Sequence, residues 1–138
     1  MKSYQSKFFR GLLLIVFSFL ILSCGKREDE LSNELFVGTW NWKSTTFYEP
    51  PSTETPASTG IVRKMQLLEN YHYSITENDV VKSEGNYSIQ MGTTNTDHTE
   101  QKYLVFSNNG ELIIVSVDAS KLILKTDGYD GATYEYQK

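Results

Sequence analysis

Few side chains in this 138-residue sequence are of the types that form covalent bonds or bind metals. The chain has one cysteine, Cys24, and two histidines, His72 and His98, and none of them is spaced with a second residue as metal sites require. Asp127 and Asp130 each precede a glycine, but the segment lacks the further carboxylates of a helical calcium loop. We therefore predict no metal site, no cofactor and no catalytic centre, and interpret the Asp-Gly pairs as a hairpin turn.

Cys24 is the residue whose surroundings indicate a specific modification. Residues 1–11 carry positive charges and no negative ones, an uncharged apolar run follows from Leu12 to Leu22, and Ser23 stands directly before the cysteine. The run is too short to cross about 30 Å of hydrocarbon, which takes about 20 apolar residues, and this layout is typical of an export signal. The Ser-Cys ending resembles the lipobox of bacterial lipoproteins.

The lipobox resemblance implies that residues 1–23 are a helical signal peptide and that Cys24 receives acyl chains such as palmitate. The partner of the mature protein would then be a membrane of the cell envelope, which we expect to be the outer membrane. More than one acyl chain is needed for stable attachment. Residues 24–34 are charged and almost without apolar side chains, so we predict a flexible tether there.

Length and charge limit the mature protein to one domain and exclude one class of partner. Cleavage before Cys24 leaves residues 24–138, enough for a single hydrophobic core. The precursor has 13 basic and 17 acidic side chains, and loss of the three basic ones before Cys24 leaves 10 and a net charge of −7. This balance argues against nucleic-acid binding, which rewards clustered Lys and Arg.

Residues 35–138 are divided into short apolar segments, several with the period of two that is typical of strands. The predicted strands are Phe36–Thr46, Ile61–Leu68, Tyr71–Thr76, Val80–Ile89, Lys102–Ser107, Glu111–Val117, Lys121–Thr126 and Ala132–Gln137. Short Asn, Asp and Gly turns join most of them and require antiparallel neighbours. An open sheet would leave two edges that invite aggregation. We therefore predict an all-β domain, an eight-stranded antiparallel up-and-down barrel, with a two-sheet sandwich as the alternative.

Several motifs in this domain resemble those of lipocalins and their shorter bacterial lipocalin-like relatives. In chain order they are Gly38-Thr39-Trp40, Thr59-Gly60 with Met65-Gln66-Leu67, Gly85-Asn86-Tyr87-Ser88-Ile89, and Asp130-Gly131 before Tyr134 and Tyr136. The resemblance implies that Trp40 closes one end of the barrel beneath a basic side chain from a late strand. No arginine follows Arg63, so the candidates for that partner are Lys121, Lys125 and Lys138.

Alternation anchored on the two tryptophans predicts which other side chains point inward. They are Met65, Leu67, Tyr73, Ile75, Tyr87, Ile89, Leu104, Phe106, Leu122, Leu124, Tyr134 and Tyr136. The segment 112–115 has apolar residues on both faces, so its pattern does not show which face points inward. A barrel of eight strands either holds one small ligand or is filled with side chains, and strands of about six residues span only about 20 Å, which favours filling.

Two functions follow from these alternatives. A hollow barrel would make this a membrane-anchored lipocalin-like lipoprotein that binds a small hydrophobic molecule. The candidate ligand-binding residues are Trp40, Trp42, Tyr73, Tyr87, Phe106, Tyr134 and Tyr136. In that case we expect the segments Glu49–Thr59 and Met91–Gln101, which we predict to be long loops, to gate the opening. A filled barrel would instead be a non-catalytic surface module for a protein or glycan, with Tyr48 and Tyr129 as exposed contacts.

Overall fold

The computed structural model describes residues 33–138, and the predictions for the signal peptide 1–23, Cys24 and the tether residues 24–32 lie outside the described residues. A 3-10 turn, Asn33–Leu35, leads into the strands. The strands are β1 (Gly38–Tyr48), β2 (Pro51–Glu54), β3 (Arg63–Leu67), β4 (His72–Glu77), β5 (Val80–Thr93), β6 (Glu100–Phe106), β7 (Gly110–Val117), β8 (Lys121–Lys125) and β9 (Ala132–Gln137). One short helix, α1 (Pro56–Thr59), lies between β2 and β3.

The strands form a closed antiparallel barrel, as predicted. Strands β3 to β8 each pair with the next strand in sequence, β1 pairs with β3, and β1 also pairs with β9. This last ladder places Trp42 opposite Tyr136 and Thr45 opposite Tyr134. The closure excludes the sandwich alternative and leaves eight strands in the barrel, with β2 as an additional short strand on the end of β1.

The two segments predicted as long loops contain more regular structure than expected. Within Glu49–Thr59, β2 pairs with the end of β1, and α1 begins with a capping box in which Thr55 and Ser58 bond each other's backbone N–H groups. Neither element was predicted, because prolines and small polar residues in this segment give it no apolar periodicity. In residues 33–138, no helix has the length and apolar character needed to cross a bilayer.

The second predicted loop, Met91–Gln101, is mostly a continuation of the strands on either side. Strand β5 runs on to Thr93, and β6 begins at Glu100. Gly92 allows this extension, because a Cβ at that position would lie 2.8 Å from the ring of Tyr103. The aromatic ring of Tyr103 therefore packs over Gly92, a residue that the sequence pattern assigned to a loop.

The predicted inward face is confirmed. All twelve side chains belong to, or pack against, one buried cluster that also contains Phe36, Trp40 and Trp42. In β7 it is Leu112 and Ile114 that pack against this cluster. Ile113 is buried on the opposite face beside its cross-strand neighbour Tyr103, whereas Val115 is exposed.

One end of the barrel is sealed, and the described chain begins there. Trp40 is fully buried, and its indole Nε1 donates a hydrogen bond of 2.7 Å to the carbonyl oxygen of Phe36. The ammonium of Lys138 lies 4.5 Å from the Trp40 ring centroid and donates to the carbonyl oxygen of Leu35. Lys138 is thus the basic side chain over Trp40, while Lys121 forms an ion pair with Glu135. We call this end the floor.

The described strand ladders and the core cluster all lie within one compact unit, Leu31–Lys138. A fragment with these bounds therefore includes the ladders that close the described sheet and the described core, and it suits binding and unfolding measurements.

Candidate ligand-binding cavity

A cavity of about 470 Å³ opens at the end of the barrel opposite the floor. It lies where β3 begins and β4 ends, and its rim is formed by the β4–β5 hairpin and the β6–β7 turn. The apolar and aromatic side chains that line it are Met65, Ile75, Phe106, Leu112, Tyr134 and Tyr136. Its size falls in the range of small-molecule sites. The interior is therefore filled near the floor and hollow near this mouth.

Charged side chains also line the mouth cavity. They are Arg63, Glu77, Lys82 and Glu111. Arg63 and Glu77 are direct cross-strand neighbours in register. The Arg63 Nε donates to Glu77 Oε1 at 2.8 Å, and its Nη2 lies 2.7 Å from the same oxygen. Both side chains remain 25% exposed, so the ion pair contacts the cavity.

Trp42 supports this ion pair from within the barrel. The guanidinium carbon of Arg63 lies 4.9 Å from the Trp42 ring centroid, within the range of a cation–π contact. The indole Nε1 donates to the hydroxyl of Thr45 at 3.0 Å, which fixes the ring plane. Thr45 is itself buried, so the platform beneath the guanidinium is rigid.

Protonation states in the cavity follow from these contacts. Burial opposes the charge on Arg63, but its hydrogen bond to Glu77 and the attraction of that carboxylate, with contributions from Tyr136, outweigh burial and raise the pKa of the guanidinium. Burial also raises the pKa of the Tyr136 hydroxyl, and the nearby charge of Arg63 only partly opposes this shift. At neutral pH the cavity therefore presents a cationic guanidinium beside a neutral hydroxyl that can donate.

The structure divides the predicted site residues into two groups. Phe106, Tyr134 and Tyr136 line the cavity. The other four lie deeper in the core, and their polar atoms are already bonded. Trp40 seals the floor, Trp42 carries Arg63, the Tyr73 hydroxyl bonds Ser83 at 2.8 Å, and the Tyr87 hydroxyl donates to the carbonyl oxygen of Leu68 at 2.9 Å.

The sequence analysis missed the two charged residues at the centre of the cavity. Arg63 precedes Met65 and Leu67 in a strand of alternating inward positions, and Glu77 continues the inward series of Tyr73 and Ile75. The signal was therefore present as a charge in phase with the core at the end of each strand. Arg63 lay inside the predicted strand Ile61–Leu68 but was not included among its inward residues, and Glu77 fell just beyond the predicted strand Tyr71–Thr76.

The segments expected to gate the opening do not contribute to the cavity wall, since no lining residue comes from 49–59 or 91–101. The loop 94–99 is held elsewhere by Asp127, whose Oδ2 accepts from the backbone N–H of Asn95 at 2.8 Å and from the Tyr103 hydroxyl at 3.1 Å. Tyr129 is 82% exposed, but its hydroxyl donates to the carbonyl oxygen of Thr96. These contacts join the two loops 94–99 and 126–131.

The fold and the cavity together define a class: a closed eight-stranded barrel with a sealed floor and a mouth cavity centred on an ion pair. Within residues 33–138 there is no group of three or more His, Cys, Asp or Glu side chains that could hold a metal ion. Comparison with family models, with curated proteins and with solved structures finds no match to this chain.

Proposed function

We propose that this protein is a non-catalytic, lipocalin-like lipoprotein of the cell envelope that binds a small molecule in the mouth cavity. The observation that carries the proposal is the hollow, one-ended interior: about 470 Å³ of space beside aromatic and aliphatic side chains, above a filled and sealed floor. A filled barrel acting only as a surface module would not need this space.

The lining favours a molecule with an apolar body. Phe106 is nearly fully buried and packs edge-on against Tyr73 with ring centroids 4.7 Å apart, so its position in the wall is fixed. Met65, Ile75 and Leu112 add aliphatic surface around it. Burial of such a body against this wall gains about 25 cal/mol for each Å² removed from water.

The proposed membrane anchor is consistent with how the described chain begins. Asn33 lies at the floor, where its side-chain amide donates to the carbonyl oxygen of Glu69 in the β3–β4 turn. The described chain thus begins at the sealed end of the barrel, and the cavity opens at the opposite end. Radiolabelled palmitate should be incorporated into the full chain in cells, and Cys24→Ser should abolish the label.

The proposal that a ligand binds in the mouth cavity is tested by filling the cavity with a larger side chain. Leu112→Trp in the fragment 31–138 should place an indole in the mouth cavity, and Val115→Trp, three residues along β7 and 52% exposed, is the matched control. We expect the fluorescent probe N-phenyl-1-naphthylamine to bind the original fragment and the control equally. Leu112→Trp should weaken binding by at least about tenfold, because the probe and the indole compete for one space.

Native mass spectrometry of the protein released from envelopes provides the second measurement. A bound small molecule in the original protein, absent from Leu112→Trp, is the expected result. The proposal would be wrong if the probe bound both tryptophan variants as well as the original fragment and the released protein carried nothing.

A further inference from the structure

The Arg63–Glu77 pair occupies positions where the strand pattern calls for apolar side chains. Both residues are in phase with the core residues of their strands, Met65 and Ile75. Partly buried ion pairs lose solvation that their attraction barely repays, and apolar replacements are often as stable or more so. Stability of the barrel therefore gives no reason for charges at this point, whereas recognition of a charged ligand does.

The Arg63 guanidinium is held in place by its contacts, but they do not occupy all of its N–H donors. Two of its N–H groups are directed at a single oxygen, Glu77 Oε1, it also interacts with the Tyr136 hydroxyl, and its face rests on Trp42. A guanidinium has five N–H donors, so it keeps donors for a further acceptor. Its remaining exposure of 25% is toward the cavity that it lines.

The surroundings of the guanidinium favour an anion more than a second cation. Lys82 stands at the rim and adds a positive charge, and the hydroxyl of Tyr136 lies beside Arg63. Glu111 also lines the rim and limits the net charge that a ligand can bring. The two basic and two acidic side chains balance, so the preference for an anion comes from the donors that the Arg63 guanidinium keeps, and a single anionic group is enough to use them.

We propose that the ligand of the mouth cavity is a small organic anion, with one carboxylate or phosphate group received by Arg63 and an apolar body against Phe106 and Leu112. This inference rests on the proposed function and specifies the chemical class of the ligand. Glu77 pairs with the guanidinium while the site is empty, and its carboxylate competes with the anion for the same N–H groups, whereas Trp42 supports the guanidinium in both states.

The test compares two probes that differ by one anionic group. 8-Anilinonaphthalene-1-sulfonate has the same ring system as N-phenyl-1-naphthylamine and adds a sulfonate. We expect the fragment 31–138 to bind the sulfonate probe at least about tenfold more tightly, because charge-assisted hydrogen bonds contribute more than neutral ones. Arg63→Met should remove this preference, so that the two probes bind this variant with affinities within about twofold of each other.

Lys64→Met is the matched control, since Lys64 is the next residue in β3 and its ammonium contacts Asp79 on the outside of the barrel. It should leave both affinities unchanged. Glu77→Gln supplies an independent readout if Arg63→Met does not fold. Removal of the competing carboxylate should tighten the sulfonate probe at least about threefold, whereas a purely structural pair predicts no gain.

Competition then identifies the group. 2-Naphthoate or 2-naphthyl phosphate should displace the sulfonate probe at least about tenfold better than 2-naphthol, and the better competitor assigns carboxylate or phosphate. Equal affinity for the two fluorescent probes, or a preference that survives Arg63→Met, would overturn the inference. If both probes still lost affinity in Leu112→Trp, the cavity would stand as a binding site without the anion. Binding of neither probe would remove the proposed function as well.

Discussion

Two tryptophans, two residues apart on β1, each carry a basic side chain, and they serve opposite ends of the barrel. Trp40 at the floor is fully buried, and Lys138 above it is tied to the carbonyl oxygen of Leu35. Trp42 supports Arg63, which faces the cavity and is paired with Glu77. The same contact between an indole ring and a cation therefore seals the floor at one end and, at the other end, positions a cation beside the mouth cavity.

The two sites differ in whether the cation has hydrogen-bond donors available for a ligand. The Lys138 ammonium contacts the backbone at the start of the domain, so it contributes to the seal. Arg63 has more donors than its partner uses and sits beside empty space. Burial of the ring alone does not distinguish the two sites, since both indoles are nearly inaccessible. What distinguishes the two contacts is the cavity: it lies beside Arg63, which can contact a ligand, whereas Lys138 is bonded to the backbone.

The largest expected effect is at the floor. Trp40→Ala removes a fully buried indole and its hydrogen bond to Phe36, and should lower the free energy of unfolding by about 3–5 kcal/mol. At the mouth, the double variant Arg63→Met, Glu77→Leu should change it by less than about 1 kcal/mol, because one partly buried ion pair is replaced by apolar contacts. Urea unfolding of the fragment 31–138 measures both. A mouth variant as damaging as the floor variant would contradict the division of roles.

An intermediate effect is expected from two glycines, one near each end. Gly38 has φ +137°, and a Cβ there would lie 3.0 Å from the Lys138 side chain that covers Trp40. Gly38→Ala should therefore cost about 1–3 kcal/mol of unfolding free energy, through backbone strain and displacement of the lysine.

Gly110 in the rim of the mouth provides the comparison. It has φ +74°, and nothing lies within 4 Å of a Cβ built there. Gly110→Ala should cost only the left-handed backbone penalty of about 1–2 kcal/mol. Thermal unfolding of the two variants should place Gly38→Ala below Gly110→Ala, and the reverse order would show that the floor tolerates rearrangement.

The smallest effect is a dependence on pH at the floor. Backbone N–H groups of Ser120 and Lys121 donate to Asp118 and lower the pKa of its carboxyl below the ordinary value. The same turn accepts a hydrogen bond from the backbone N–H of Lys138 at Ser120 O. Because the folded-state pKa is the lower one, the stabilisation is present above about pH 4 and is lost as the pH falls through the folded-state value.

Asp118→Asn should therefore reduce the drop in unfolding temperature between about pH 5 and pH 2. Melting curves of the variant and the original fragment over this range provide the measurement. Parallel pH profiles would show that the turn carboxylate does not contribute to acid sensitivity.

The sequence allowed the barrel and its inward face to be predicted, because period two and short polar turns are local signals. It did not select Lys138 over Lys121 or Lys125, since that choice depends on where closure brings the end of β9. It also missed β2, which is stabilised by pairing with β1 rather than by an apolar face of its own. Arg63 and Glu77 each appear in the sequence as a single charge in phase with the core, but their pairing was missed because it depends on the register between β3 and β4.

The ladder between β1 and β9 has a consequence for biogenesis. It joins Asn41 to Gln137, 96 positions apart, whereas the other barrel ladders join consecutive barrel strands. Contacts this distant carry a high loop-closure entropy and slow the folding rate. This ladder cannot form until the last residues of the chain have been synthesised, and truncation before Ala132 would leave two unpaired strand edges, which favour aggregation.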